Sequence, residues 1–172
     1  MTEASPHTLG ESYLTAVKNR FSEVKKNGDQ TFLQLQEQDL FWSPHEDSNS
    51  ISVIVKHMSG NMISRWTNFL TTDGEKPDRH RDDEFAATLS SKEEMLQVWE
   101  HGWSVFLAEL STLTPDDLLR TITIRNQPMS VIDAIERQVA HYAYHVGQIV
   151  FIAKLLKGDQ WQTLTIPRRK SN

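Results

Sequence analysis

The sequence predicts an all-α fold: an antiparallel four-helix bundle with long connections and a short β-hairpin before the last helix. Hydroxyl residues stand three positions before carboxylates at several points, a spacing that marks helix starts. Apolar residues then recur at the spacing of one helix face. The chain of 172 residues suits one core. We therefore treat 1–172 as a single domain, with its core at about 8–158 and a C-terminal tail at 159–172.

The first helix is predicted to begin at Thr8, which forms a capping box with Glu11. Its apolar positions lie at helical spacing: Tyr13, Leu14, Val17, Phe21 and Val24. Asn27-Gly28 is expected to break or cap this helix, because glycine is common just past a helix end. A turn or two of helix is then expected to resume as far as Leu35.

The second and third helices are identified in the same way. Ser50 is the expected cap of a helix over about 51–70, with apolar positions at Ile54, Val55, Met58, Met62, Trp66 and Phe69. The third helix is predicted to start in a capping box at Ser90 and carries Met95, Trp99, Trp103, Phe106 and Leu110. The Trp99 and Trp103 pair is interpreted as core or dimer interface.

The last helix is the longest, predicted over about 130–157, with Ser130 as its cap and Gly158 closing it. Before it, 121–124 alternates in the manner of a brief strand, and 125–128 has the residues of a turn. These segments predict the hairpin.

The composition excludes several classes of protein. The formal charge is −5, and the only basic cluster, 168–170, is interpreted as a solvated tail, so nucleic acid is not an expected partner. No apolar run approaches the ~20 residues of a membrane span, and 1–6 lacks the features of a secretory signal. We therefore expect a cytoplasmic protein. Because there is no cysteine, any metal must be held by nitrogen and oxygen ligands.

The segment His141 to His145 carries the clearest chemical signal. Histidines four apart lie on one face of a helix, where both can reach one ion. Buried histidines that only hydrogen-bond are the alternative. Tyr142 stands where a metalloprotease helix has its glutamate base, so a peptidase of that type is not expected. His57, in the second helix, would add a third nitrogen, and Gly60 nearby indicates a close approach of another helix or a ligand.

These residues resemble a known family. The pairing of His57 with HYAYHVGQI at 141–149 resembles the DinB-like (YfiT-like) superfamily of metal-binding four-helix bundles. The segments 54–62, 69–77 and 79–82 are similar to a Bacillus-type branch of it. The resemblance implies that His57, His141 and His145 are the three metal ligands, in a protein that is often a homodimer. It also implies one divalent ion, with zinc or nickel expected.

The resemblance further implies an enzyme class. Relatives include thiol-dependent S-transferases that use bacillithiol, mycothiol or glutathione, a mycothiol-dependent maleylpyruvate isomerase, and proteins called metal-dependent hydrolases. The leading hypothesis is thus a metal-dependent enzyme that acts on a small molecule, a thiol S-transferase such as bacillithiol transferase, with a low-molecular-weight thiol as co-substrate. A metal-dependent hydrolase and a non-catalytic, metal-braced binding protein are alternatives, as is a polar core of three histidines without metal.

Other residues have two interpretations each. Tyr144, Gln148 and Asn61 are candidates for the shell around the ligands, but Tyr144 fits core packing and the two amides fit ordinary helix faces. Arg65 and the loop residues Arg79 and Arg81 could meet an anionic substrate, although ion pairs with nearby carboxylates are the preferred interpretation. The remaining histidines are interpreted as surface or packing residues: His7, His45, His80 and His101.

Overall fold

The structure is a computed structural model, and it describes residues 8–167. That part of the chain is mostly helical, which confirms the predicted class, and its helices are α1 (Leu9–Phe32), α2 (Glu37–Phe41), α3 (Ile51–Trp66), α4 (Lys92–Thr112) and α5 (Val131–Lys157). Strands β1 (Thr121–Ile124) and β2 (Gln127–Ser130) pair antiparallel just before α5. Short 3-10 turns lie at Arg81–Phe85, Pro115–Asp117 and Gly158–Gln160. Within the described residues no helix is long and apolar enough to cross a membrane.

Most helix starts follow the predicted caps. The Thr8 capping box is formed, and the hydroxyls of Ser50 and Ser130 each accept a backbone N–H of their helix. The start of α4 is one residue later than predicted. The hydroxyl of Ser91 accepts a hydrogen bond from the backbone N–H of Glu94 and caps the helix. Ser90 and Ser91 are both suitable caps, so the sequence allowed two starting positions.

The predicted break at Asn27-Gly28 is wrong, because α1 continues to Phe32. Gly28 faces the indole of Trp99, and a Cβ on it would come within 2.5 Å of the ring atom Cζ2. The neighbouring Asp29 accepts a hydrogen bond of 2.7 Å from Trp99 Nε1. This glycine therefore permits close packing of α1 against α4, and the short α2 follows as a separate helix.

The predicted end of the second helix is also wrong. The helix α3 ends at Trp66, four residues early, because Asn68 takes a left-handed conformation with φ of 52°. Phe69 nevertheless stays buried and stacks on Trp66 with ring centroids 4.3 Å apart. The apolar spacing thus continues past the helix, and this explains the error.

An aromatic cluster joins the four long helices. Phe21 of α1 lies 4.5 Å from Phe106 of α4 between ring centroids, and Trp66 of α3 lies 4.6 Å from the same ring. Tyr142 of α5 completes the cluster, 5.3 Å from Phe106. Trp103 is also in this core, with no exposed surface. Since Trp99 is equally buried, the interpretation of this pair as core is confirmed.

The hairpin places a loop beside α3. Arg125 and Asn126 form its two-residue turn, both with positive φ (55° and 58°), as the favoured hairpin turn requires. The turn is shorter than the predicted 125–128. The carboxylate of Asp73 accepts backbone N–H bonds from both turn residues at 2.9 and 2.8 Å. This contact fixes the chain that leaves α3 against the hairpin that leads into α5.

Candidate metal centre

Three imidazoles meet between α3 and α5, and they are those that the sequence selects. Nε2 of His141 lies 3.3 Å from Nε2 of His57 and 3.0 Å from Nε2 of His145. One ring nitrogen of each residue lies within 4.8 Å of the others. His57 is buried, whereas the two histidines of α5 are half-buried.

The separations suit a shared cation. Two nitrogens that each lie ~2.05 Å from one tetrahedral ion are ~3.3 Å apart, which is close to the spacing of these rings. Imidazole nitrogen is a ligand for zinc, nickel, copper and iron alike. The donor set is therefore one that fits a divalent ion.

The outer nitrogens of two rings have fixed partners. Nδ1 of His57 lies 2.9 Å from the carboxylate of Glu84. Nδ1 of His145 lies 2.8 Å from the side-chain oxygen of Gln148. Both partners accept hydrogen bonds, so each ring carries its hydrogen on Nδ1 and directs the other nitrogen inward.

This tautomer assignment bears on what the cluster can hold. With hydrogens on their outer nitrogens, neutral His57 and His145 each present a lone pair at Nε2. His141 has at most one hydrogen on its Nε2, so it can satisfy only one of those two lone pairs. A cluster held only by hydrogen bonds therefore leaves one of these two nitrogens without a partner in the cluster, whereas a single cation can bind all three nitrogens.

The electrostatics favour neutral imidazoles. Burial, and then the neighbouring His145 and His57, lower the pKa of His141 to about 3. Burial also lowers the pKa of His145. Burial alone would raise the pKa of the Glu84 carboxyl, but hydrogen bonds from His57 and Arg79 hold it below its usual range. At neutral pH the two α5 rings are therefore uncharged and the carboxylate is ionised, the forms that metal binding requires.

The 3-10 turn Arg81–Phe85 supplies site residues that the sequence analysis missed. Glu84 is buried against Gly60, and a Cβ at that glycine would overlap its carboxylate. The close approach indicated by Gly60 thus comes from a loop carboxylate rather than from another helix. Phe85 stacks on the His57 ring with centroids 4.8 Å apart. In the sequence, the available sign of this contact was a glycine in the middle of a helix, followed by a loop rich in acidic residues.

The other candidates occupy different positions. Asn61 accepts a hydrogen bond of 3.2 Å from the hydroxyl of buried Tyr142. The interpretation of Tyr144 as a core residue is wrong, because its side chain is 62% exposed. Its ring lies 5.1 Å from that of His145 between centroids. Among the remaining histidines, His7 lies outside the described residues, and the others are exposed: His45, His80 and His101.

Ion pairing of the arginines is confirmed. Arg65 contacts Glu75 at 2.8 Å. Arg79 meets Glu84 through two bonds, from Nε at 2.7 Å and from Nη2 at 2.9 Å. The side chains of Arg79 and Glu84 are only 5% and 8% exposed. The carboxylate that holds His57 is thus itself held by a buried guanidinium.

We expect Gln148→Ala to weaken zinc binding by about 10- to 100-fold, because His145 loses the acceptor that orients its ring. Competition titration with a chromogenic chelator measures this loss. Gln97→Ala, an exposed change on α4, is the control and should leave the affinity unchanged. Gln148→Glu keeps an acceptor and should restore much of the affinity. Equal affinities for Gln148→Ala and wild type would contradict this role.

Comparison with known proteins gives a family but no activity. The family described as "Protein of unknown function (DUF1572)" matches residues 8–170. Among the curated proteins, none matches the chain.

Proposed function

The chain belongs to the DUF1572 family, which is DinB-like, and on this premise we propose that it is a metal-dependent enzyme acting on a small molecule. The specific form of the proposal is a thiol S-transferase, such as bacillithiol transferase. His57, His141 and His145 would hold one zinc or nickel ion. The observation that carries the proposal is the convergence of one nitrogen from each of three imidazole rings. In two of these rings the outer nitrogen is hydrogen-bonded, to Glu84 in His57 and to Gln148 in His145.

A divalent ion bound there would act as a Lewis acid and lower the pKa of a bound thiol or water towards neutral pH. In the transfer, the thiol sulfur forms a bond to an electrophilic carbon of the second substrate. The leaving group departs with the electron pair of the broken bond, and the thiol proton passes to solvent. The chain would orient His57 through Glu84 and His145 through Gln148, and burial would keep the two α5 rings neutral.

The surroundings of the cluster favour a catalytic site over a structural brace. The group that could hold an ion contains three histidines and, within residues 8–167, no carboxylate. A cavity of about 240 Å³ borders the rings of His57 and His141. Structural metal sites are closed by four protein ligands, whereas catalytic sites keep one position for substrate. The cavity gives a small molecule access to the rings.

The test is thiol consumption by zinc- or nickel-loaded protein with bacillithiol and a fluorogenic haloalkyl electrophile. We expect product only with metal, thiol and protein together, no product after removal of metal by a chelator, and none with His145→Ala. His101→Ala, an exposed histidine change, should retain the activity. A rate equal to that of free thiol, with metal bound, would refute the transferase. Hydrolysis of ester or amide substrates without thiol would instead select the hydrolase alternative.

The proposal also includes a homodimer in the cytoplasm, from a Bacillus-type branch of the superfamily. An exposed apolar strip on α5 supports an interface between two copies. Tyr144, Phe151 and Leu155 are 62%, 68% and 60% exposed. These three residues recur at helical spacing and so share one side of α5.

A further inference from the structure

The cavity beside the three histidines is rich in arginine. Five arginine residues line it: Arg65, Arg79, Arg81, Arg125 and Arg137. They come from α3, from the loop after it, from the hairpin turn and from α5. Within the described residues no aspartate or glutamate lines this cavity. The carboxylates that pair with Arg65, Arg79 and Arg125 lie outside the lining of the cavity.

These carboxylates are fewer than the arginines. Glu75 is shared, since it contacts Arg65 at 2.8 Å, Arg125 at 2.9 Å and Arg79 at 3.4 Å. Glu84 is the second acceptor of Arg79 and also holds His57. Two buried or half-buried carboxylates thus serve three guanidinium groups, so this part of the site has an excess of positive charge.

The remaining two arginines add to that excess. Arg81 pairs with the exposed Asp82 at 3.7 Å, a pairing of little strength in solvent, and its guanidinium carbon lies 5.0 Å from the centroid of the Phe85 ring. Arg137 has no hydrogen-bonding or ion-pair partner within residues 8–167 and lies one turn before His141 on the same face of α5. Its guanidinium group is free to bind an incoming ligand next to the histidine cluster.

An unpaired buried amide is an independent sign of a ligand. Gln138 also lines the cavity, and its side chain is only 3% exposed. Its Oε1 has no hydrogen-bond partner among the described residues. Buried polar atoms are rarely left unpaired in folded proteins, because the lost hydrogen bond costs free energy. A ligand with a hydrogen-bond donor beside its anionic group would pair this oxygen.

We infer that this arginine-lined cavity binds the anionic end of the substrate, a carboxylate or phosphate group on a small molecule. The planar fork of arginine matches both groups through paired hydrogen bonds. A cavity of about 240 Å³ admits such a group with a few further atoms. The anionic end then lies beside His57 and His141, so the reactive carbon of the same molecule reaches the metal centre. This inference rests on the proposed function only in identifying the bound anion as the substrate.

Calorimetric titration with succinate and with inorganic phosphate tests the inference, on both metal-free and zinc-loaded protein. We expect at least one of these anions to bind metal-free protein, and Arg137→Ala to weaken that binding at least tenfold. Comparison of the two anions shows which group is preferred. Arg20→Ala is the matched control, because it removes the same charge from an exposed position on α1 and should change the affinity less than twofold. Neutral succinamide should not bind.

The result is separable from the fate of the proposed function. Arg137→Ala should keep the metal content of wild type, since Arg137 is not a ligand. Anion binding without any metal binding would support the arginine site and refute the metal-dependent enzyme. Metal binding without anion binding to metal-free protein would refute the arginine site alone. Equal weakening by Arg20→Ala and Arg137→Ala would also overturn the inference, because it would show only a general charge effect.

Discussion

His57→Ala is expected to reduce bound metal from near one equivalent per chain to below about a tenth of one, because two imidazoles on one helix rarely hold an ion with stoichiometric occupancy. The ring lies in α3, and its removal leaves His141 and His145 with no partner on that side. Elemental analysis after chelator-free purification measures the change, before and after addition of zinc or nickel. Circular dichroism should show nearly unchanged helical content.

His101→Ala is the matched control for this experiment. His101 lies on α4, is exposed, and takes no part in the cluster. Its loss should leave the metal content at the wild-type value. Stoichiometric metal retained in His57→Ala would show that the ion is bound elsewhere, and it would remove the basis of the proposed enzyme. Absence of metal in wild type, even after addition of zinc and nickel, would have the same consequence.

The local signals in the sequence were sufficient for much of the fold. A cap such as Thr8 or Ser130 acts within one turn of helix, so its effect can be predicted from neighbouring residues. The same locality explains the success with His141 and His145, which the helix repeat places on one face. The hairpin was also predictable, because its turn and strand alternation are properties of about ten consecutive residues.

Errors arose where a distant residue decided the local structure. From the sequence alone, Gly28 fits the end of a helix. In the structure it packs against Trp99, which is far away in sequence. Glu84 resembles one acid among several in a polar loop, and only tertiary packing brings it to His57 and Gly60. The arginine cavity is of the same kind. Its side chains come from four separate segments, and no periodicity in the sequence connects them.

The buried pair of Arg79 and Glu84 yields the largest expected effect on stability. Arg79→Met should lower the free energy of unfolding by about 3 kcal/mol or more, because it leaves a buried carboxylate without its main counter-charge. Both side chains are under a tenth exposed and joined by two hydrogen bonds. Urea unfolding of metal-free protein, followed by circular dichroism, measures the change without a contribution from bound metal. Arg81→Met is the control, since Arg81 is half exposed and only loosely paired, and it should cost less than about 0.5 kcal/mol.

A second substitution distinguishes loss of charge balance from loss of packing. In Arg79→Met/Glu84→Gln the neutral amide still accepts the hydrogen of His57 Nδ1 but needs no counter-charge, so at least half of the lost stability should return. Zinc affinity should remain below that of wild type, because a neutral acceptor makes His57 a weaker ligand than a carboxylate does. If the double variant is no more stable than Arg79→Met, the cost lies in the packing of the arginine stem. In that case Arg79 does not stabilise the protein by balancing the charge of Glu84. The hydrogen bond between Glu84 and His57 then does not depend on the ion pair of Glu84 with Arg79.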